Sequence, residues 1–445
     1  MDSNLQAPDT KATKTHPQDV TETQAQQEPV AAATSTSSSA SVASQHYLTK
    51  RGTRPRRFKS YLLTEKYEKP WLEDPRWARP THINNAIMRA GVLAGLYCLI
   101  MDDQFDSINS DHWSYEIQTG GFGSGEFNWA TDDPQNAFVD TEGLHIVPTL
   151  TTEATNITEG QLSHGYSLNL TAAGGDGTCT STDVKMCSIR SNMTLGQILP
   201  PTRSARLTTK GKKSIKYGRV EVVAKMPKGD WLWPAIWMMP EDSVYGGWPA
   251  SGEIDIAELR GNEREYPRGR DLVTSTLHWG PDDQHDGYML TYDTFFFKRG
   301  DFTQDFFTYG LEWTKDYLFT YVKNRGERVF EIKFKNKEPF WEKGNMQGAA
   351  ARNGTMFTDP WRKAGNSIAP FDQQFYLNLK VAVGAQNGYF YNGRFNKPWV
   401  DGTPLAASEF WRAKEQWLPT WGEGNDRGMT VKSVKMWQQC DEKWM

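Results

Sequence analysis

Cysteine and histidine are scarce in this sequence, at 4 and 8 residues, and no group of them has the spacing of a zinc site. No glycine-rich phosphate loop stands out either, so neither a metal nor a cofactor is expected. Surplus positive charge is missing: the formal net charge is −4, which points away from a nucleic-acid partner. Long helical periodicity is also rare and no internal repeat recurs, which excludes helix bundles and solenoids. The longest expected helix is short, around Leu405–Trp417, "LAASEFWRAKEQW".

Strand-forming material is abundant instead. Apolar residues make up 38% of the chain and aromatics 13%, enough for a sizeable core. The runs "GRVEVVAKM", "LVTSTLHW", "TYGLEWTKDYLFTYV", "QFYLNLKVAVG" and "GMTVKSVKMW" are rich in Val, Tyr, Phe, Trp and Thr. Gly, Pro, Asn and Asp separate them. An all-β sandwich follows as the fold class, with one large domain carrying an appendage.

The stretch "WPASGEIDIAELRGN", Trp248 to Asn262, places the acids Glu253, Asp255 and Glu258 among Ile254, Ile256 and Ala257. On a strand Glu253 and Asp255 share one face, while strict alternation sends Glu258 to the isoleucine side. One extra residue, a β-bulge near Ala257, would return Glu258 to the acid face. Two glutamates could then stand about 5–5.5 Å apart, the separation of a retaining glycosidase, with the aspartate between them. The middle acid would hold its neighbour's rotamer and help drive the trio's pKa values apart. A plain solvent-facing strand is the alternative. The flanks argue against it, because Trp231, Trp233, Trp237 and Trp248 fall within eighteen positions upstream and His278 and Trp279 follow. Indole faces stack on pyranose rings, although any one of these tryptophans could equally be core.

The ordered set "YGRVEV…WPAIWM…SGEIDIAE…LHWG…YGLEW…AVG" resembles glycoside hydrolase family 16, in its laminarinase-like, fungal-type branch, over roughly Asp102 to Gln438. The resemblance implies a β-jelly-roll sandwich with a concave cleft and a retaining attack on β-1,3-linked or mixed-linkage glucan. It makes Glu253 the nucleophile, Asp255 its assistant and Glu258 the acid/base. Trp233, Trp237, Trp248, His278 and Arg219 are candidates for contacting the sugar; for His278 a structural role, and for Arg219 a surface ion pair, are the alternatives. Phe307, Ala385 and Ser124 depart from the residues usual at those places, which bears on the choice of substrate.

Three segments are expected: a disordered 1–80, a short apolar 81–97 and the catalytic domain 98–445. Residues 1–48 are Gln-, Thr-, Ser- and Ala-rich, and Lys50–Lys59 holds six basic residues in ten. A basic run before an apolar one commonly marks the cytoplasmic side of an anchor. Yet Ala90–Met101 would span only about 18 Å as a helix, against a hydrocarbon core of about 30 Å. "YCLIMDDQFD" resembles the first strand in fungal relatives, where a full anchor precedes it, so here only a stump is left and poor insertion is expected. Sequons at Asn156, Asn169, Asn192 and Asn353 all follow this stretch, as in a lumenal or extracellular domain. Cys179 and Cys187 are spaced to close a hairpin, and Cys98 and Cys440 sit at the two ends of the domain; four free thiols are the alternative. Together these features suggest the secretory pathway or cell surface, type II anchoring if the segment spans, and a monomer whose partner is β-glucan. A transglycosylase, a non-catalytic glucan-recognition module and a galactan-cleaving enzyme are the other functions considered.

Overall fold

Alternation is complete in Gly218–Lys225, where every second residue is buried. Val220, Val222 and Ala224 point into the core, while Arg219, Glu221 and Val223 point outward. The computed structural model describes residues 97–440, so the expectations for residues 1–96 lie outside the described residues. Two antiparallel eight-stranded sheets face each other across one apolar core. The first contains Gly218–Lys225, Phe307–Trp313, Tyr317–Val322, Arg328–Lys333 and Met429–Gln439. The second runs, in spatial order, through Tyr292–Phe296, Leu272–His278, Glu253–Glu258, Leu232–Pro240, Phe375–Val383 and Arg206–Thr208. The sandwich expected from the strand-like runs is the one formed; four of the five runs each supply one strand, and "TYGLEWTKDYLFTYV" supplies two, Phe307–Trp313 and Tyr317–Val322.

The expected helix is present in two pieces, Ala406–Arg412 and Lys414–Trp417. Phe410, Trp411 and Trp417 turn inward from it, with Phe410 stacked on Trp417 at 4.4 Å between centroids. Strand Phe375–Val383 differs from the alternating ones because all nine of its residues are buried.

Part of the proposed anchor is claimed by the sheet. Tyr97–Asp103 is a strand paired with Met429–Gln439, so the last five residues of Ala90–Met101 belong to the sandwich. Among the described residues no helix is long and apolar enough to cross a membrane. Both expected disulfides are formed: Cys179–Cys187, and Cys98–Cys440 with a Cα separation of 5.4 Å. The second ties the first strand to the last across 342 positions of sequence. Constraining so long a loop in the unfolded chain is the strongest entropic use of a bridge. Replacing Cys98 and Cys440 together by Ser should lower stability by about 2–5 kcal/mol, read as a lower melting temperature. An unchanged melt would show that the strand pairing holds the ends without the bridge.

Candidate active site

Strand Glu253–Glu258 pairs with Leu232–Pro240 on one side and Leu272–His278 on the other. Trp237 faces Asp255, and Ile236 then faces Ala257, so Ile256 has no partner. On the other side Thr276 faces Asp255 while Thr274 faces Glu258, two positions against three. Ile256 is therefore the extra residue of a bulge, next to Ala257, near which the sequence reading placed it. Glu258 lies across from Ala235, and Asp255 from Trp237. Ala235 and Trp237, two apart on a regular strand, share a face, so all three acids share it too. The buried Ser275 hydroxyl donates to the Ile256 carbonyl at 2.6 Å and satisfies an acceptor at the disrupted ladder. Gly252 enters the strand at φ +84°, where a Cβ would press on Pro370, Phe371 and Phe375 at 3.1–3.3 Å.

Each carboxylate is held. Trp248 Nε1 donates to Glu253 Oε2 at 2.5 Å, and Trp233 Nε1 donates to Glu258 Oε1 at 2.9 Å. His278 stands opposite Glu253, with Nε2 3.2 Å from Asp255 Oδ2 and Nδ1 2.5 Å from Asp286 Oδ2. The backbone N–H groups of Trp279 and Tyr288 donate to the second oxygen of Asp286, at 3.2 and 3.1 Å. Burial opposes charge on His278, but its hydrogen bonds to Asp255 and Asp286 and the nearby charges outweigh that and raise its pKa well above the usual value. Burial also pushes Asp255 well above the carboxylate range, helped by the charges of Glu258 and Glu253 and opposed by His278. Glu258 is raised as well, by burial first and by Glu253, against the pull of His278, Lys380 and the Trp233 N–H. Burial and mutual repulsion thus push both Asp255 and Glu258 toward holding a proton to higher pH than a free carboxylate does.

Several expected sugar contacts are placed elsewhere by the fold. Arg219 lies on the outward face of the other sheet, paired with Glu221 and set 5.2 Å over the Trp437 ring, so it belongs to a surface ion pair. Its strand alternates, and the outward face of that sheet is the far side of the sandwich. Trp233 and Trp237 do lie on the acid face, but they are only 6% and 4% exposed. Tyr389 stacks on Trp233 at 3.9 Å, and Arg206 covers Trp237 at 4.8 Å. They hold the site and offer no free platform. Trp248, 46% exposed, keeps an open ring beside Glu253. Tyr288, also exposed, stacks on His278 at 5.4 Å.

Lys380, Glu126, Tyr389, Asp286 and Tyr288 were missed. Asn378 and Lys380 were findable, because they are the two hydrophilic residues, two apart, in the otherwise apolar "FYLNLKVAV". Lys380 Nζ sits 4.5 Å from the Trp233 ring and pairs with the buried Glu126. Nothing local marks Glu126, which meets Lys380 across 254 positions.

An antiparallel sandwich with clustered carboxylates and an open indole on one face belongs to the class of proteins that handle sugar polymers. Residues 163–367 match the glycosyl hydrolases family 16. A beta-1,3-glucan-binding protein of Penaeus monodon is 40% identical over 77% of this chain and 90% of its own length. Gram-negative bacteria-binding protein 1 of Drosophila melanogaster is 29% identical over 73% of this chain, which spans 61% of that protein. Among solved structures, the laminarinase catalytic domain from Thermotoga maritima is 22% identical, with a TM-score of 0.45 over 78% of this chain and 99% of that one. The chain belongs to glycosyl hydrolase family 16. The fungal type expected from the first strand is corrected by these relatives, both of which are arthropod proteins.

The raised carboxyls make a stability prediction. A group whose folded pKa lies above its unfolded value stabilises below the unfolded pKa and loses that contribution as pH rises through the folded one. Glu258→Gln should therefore melt higher than the parent at pH 7–8, by about 0.5–2 kcal/mol, with the gain vanishing near the ordinary glutamate pKa. Melts across that pH range check it. A gain independent of pH would assign the cost to something other than ionisation.

Proposed function

We propose that the chain is a retaining glycoside hydrolase acting on β-1,3-linked glucan. The observation that carries this reading is the bulge at Ile256, which brings Glu258 onto the face of Glu253 and Asp255. In this reading a Glu253 oxygen attacks the anomeric carbon while the bond to the leaving sugar breaks. The leaving oxygen takes the proton of Glu258, whose raised pKa suits a general acid. Water then attacks the same carbon, gives its proton to Glu258 and releases the Glu253 ester. Asp255, whose pKa is raised by burial and by the charges of Glu258 and Glu253, lies between the two glutamates on the same face and assists the nucleophile. Trp248 supplies the exposed ring for stacking beside Glu253. Export to an oxidising compartment is supported by the two disulfides and by the exposed sequons Asn156, Asn192 and Asn353; Asn169 is half-buried.

A second reading, glucan binding without cleavage, is favoured by the 40% identity to the beta-1,3-glucan-binding protein of Penaeus monodon. The retention of all three acids supports the enzyme.

Glu253→Gln should lower turnover of laminarin by roughly three orders of magnitude or more while glucan binding persists. In Glu253→Ala, added azide should restore bond cleavage and give an azide adduct of inverted configuration. A parent chain that binds laminarin but releases no shorter product would establish the binding reading instead.

A further inference from the structure

His278 reaches the acids through Nε2, and the group on its other nitrogen has no part in the chemistry described so far. The segment joining strand Leu272–His278 to strand Tyr292–Phe296 is built around one carboxyl group, Asp286, whose side chain is 7% exposed. Trp279 anchors this segment. It is fully buried against Phe340 and Trp361, and its Nε1 donates to Thr291 Oγ1 at 2.7 Å. The Gly287 N–H donates to the Trp279 carbonyl at 2.7 Å. Gly287 comes so near the indole that a Cβ there would lie 2.4 Å from it, so a side chain is excluded. Packing on both sides therefore fixes where Asp286 points.

Asp286 divides its oxygens between two tasks. Oδ1 accepts from the Trp279 and Tyr288 N–H groups and closes the loop, while Oδ2 stands 2.5 Å from His278 Nδ1. Across the ring, Nε2 stands 3.2 Å from Asp255 Oδ2, a buried oxygen with no other hydrogen-bond partner among the described residues. The imidazole thus lies between two carboxyl groups, one at each nitrogen. Carboxylates only accept, so the arrangement is satisfied when both nitrogens carry hydrogen and the ring is a cation. The pKa of His278, raised well above its usual value, agrees with this. The rings of Trp248 and Tyr288 pack on the imidazole at 5.6 and 5.4 Å and limit its tilt.

Glu253 stands directly across from His278 in the ladder, and Glu258 lies further along the same strand. A cation at His278 offsets repulsion among the three acids and favours their ionised forms. Other cations flanking this face are already engaged: Lys380 with Glu126, Arg206 with Glu116, and Arg268 over the Tyr292 ring.

We propose that Asp286 is a positioning residue for the reaction at Glu253 and Glu258. Acting through His278, it turns Nε2 toward Asp255 and holds a hydrogen on each ring nitrogen, so that a cation faces the trio. The proposal rests on the reading of the acid face as a site of glycoside cleavage.

Asp286→Asn in the full chain tests it. Asparagine keeps one oxygen for the Trp279 and Tyr288 N–H groups, so the loop is retained. It turns an NH2 toward Nδ1, which must then accept and lose its hydrogen. The readouts are nitrogen-15 NMR of His278 and the pH profile of kcat/KM on laminarin, with melting temperatures to confirm folding. At pH 7 the parent should carry hydrogen on both ring nitrogens of His278, and the variant on one. Without the cation the acids ionise less readily, so both limbs of the variant's profile should move up by about half a pH unit or more. KM should stay within about twofold, because no group that touches the sugar is removed. His278→Gln removes the cation directly and should move the profile the same way, and adding Asp286→Asn to it should move it no further. A neutral His278 in the parent, or a profile that Asp286→Asn leaves in place, overturns the role of Asp286 alone. A parent chain that releases no product from laminarin overturns the reading of the acid face, and the role of Asp286 with it.

Discussion

The position of Glu258 depends on strand Glu253–Glu258 having one residue more than either neighbour needs. In a regular ladder that carboxylate would turn toward Ile254 and the core, where an unpaired charge is not tolerated. The bulge is held by a specific bond, from Ser275 to the carbonyl of Ile256, and the entry to the strand is held by close packing around Gly252. Local disruption of the sheet is thus part of how the acids are aimed.

With the acids on one face, repulsion has to be managed. Charges of alternating sign run across that face: Asp286, His278, the trio, Lys380 and then Glu126. Each cation lies between carboxylates, which offsets part of the cost of burial without cancelling it. The remainder shows in the raised pKa values of Asp255 and Glu258. A sandwich selected for stability alone would place apolar residues here, so the cost is the mark of a site.

The aromatic residues divide by role in a way their sequence density hides. Trp233 and Trp237 are enclosed by Tyr389, Lys380 and Arg206, and Trp233 acts through its N–H rather than its ring face. Trp248 stays open. Arg206 and Lys380 reach the first two from strands of the same sheet, and Tyr389 from the segment after Phe375–Val383.

Much of this was legible in the sequence. Period-two runs such as "GRVEVVAK" define strands because burial on one face selects every second residue, and for Glu253, Asp255 and Glu258 to share a face the spacing called for an extra residue near Ala257. Spacing also closed Cys179–Cys187 locally. Other features depend on which strands become neighbours, and that is a long-range result of packing. Arg219 reads like any residue of an outward face until the sheet order puts it behind the sandwich. Whether an indole is platform or wall depends on loops such as the one carrying Tyr389, more than 150 positions away from Trp233. Glu126 gains a role only when folding brings Lys380 to it, because a carboxylate's chemistry is set by what surrounds it.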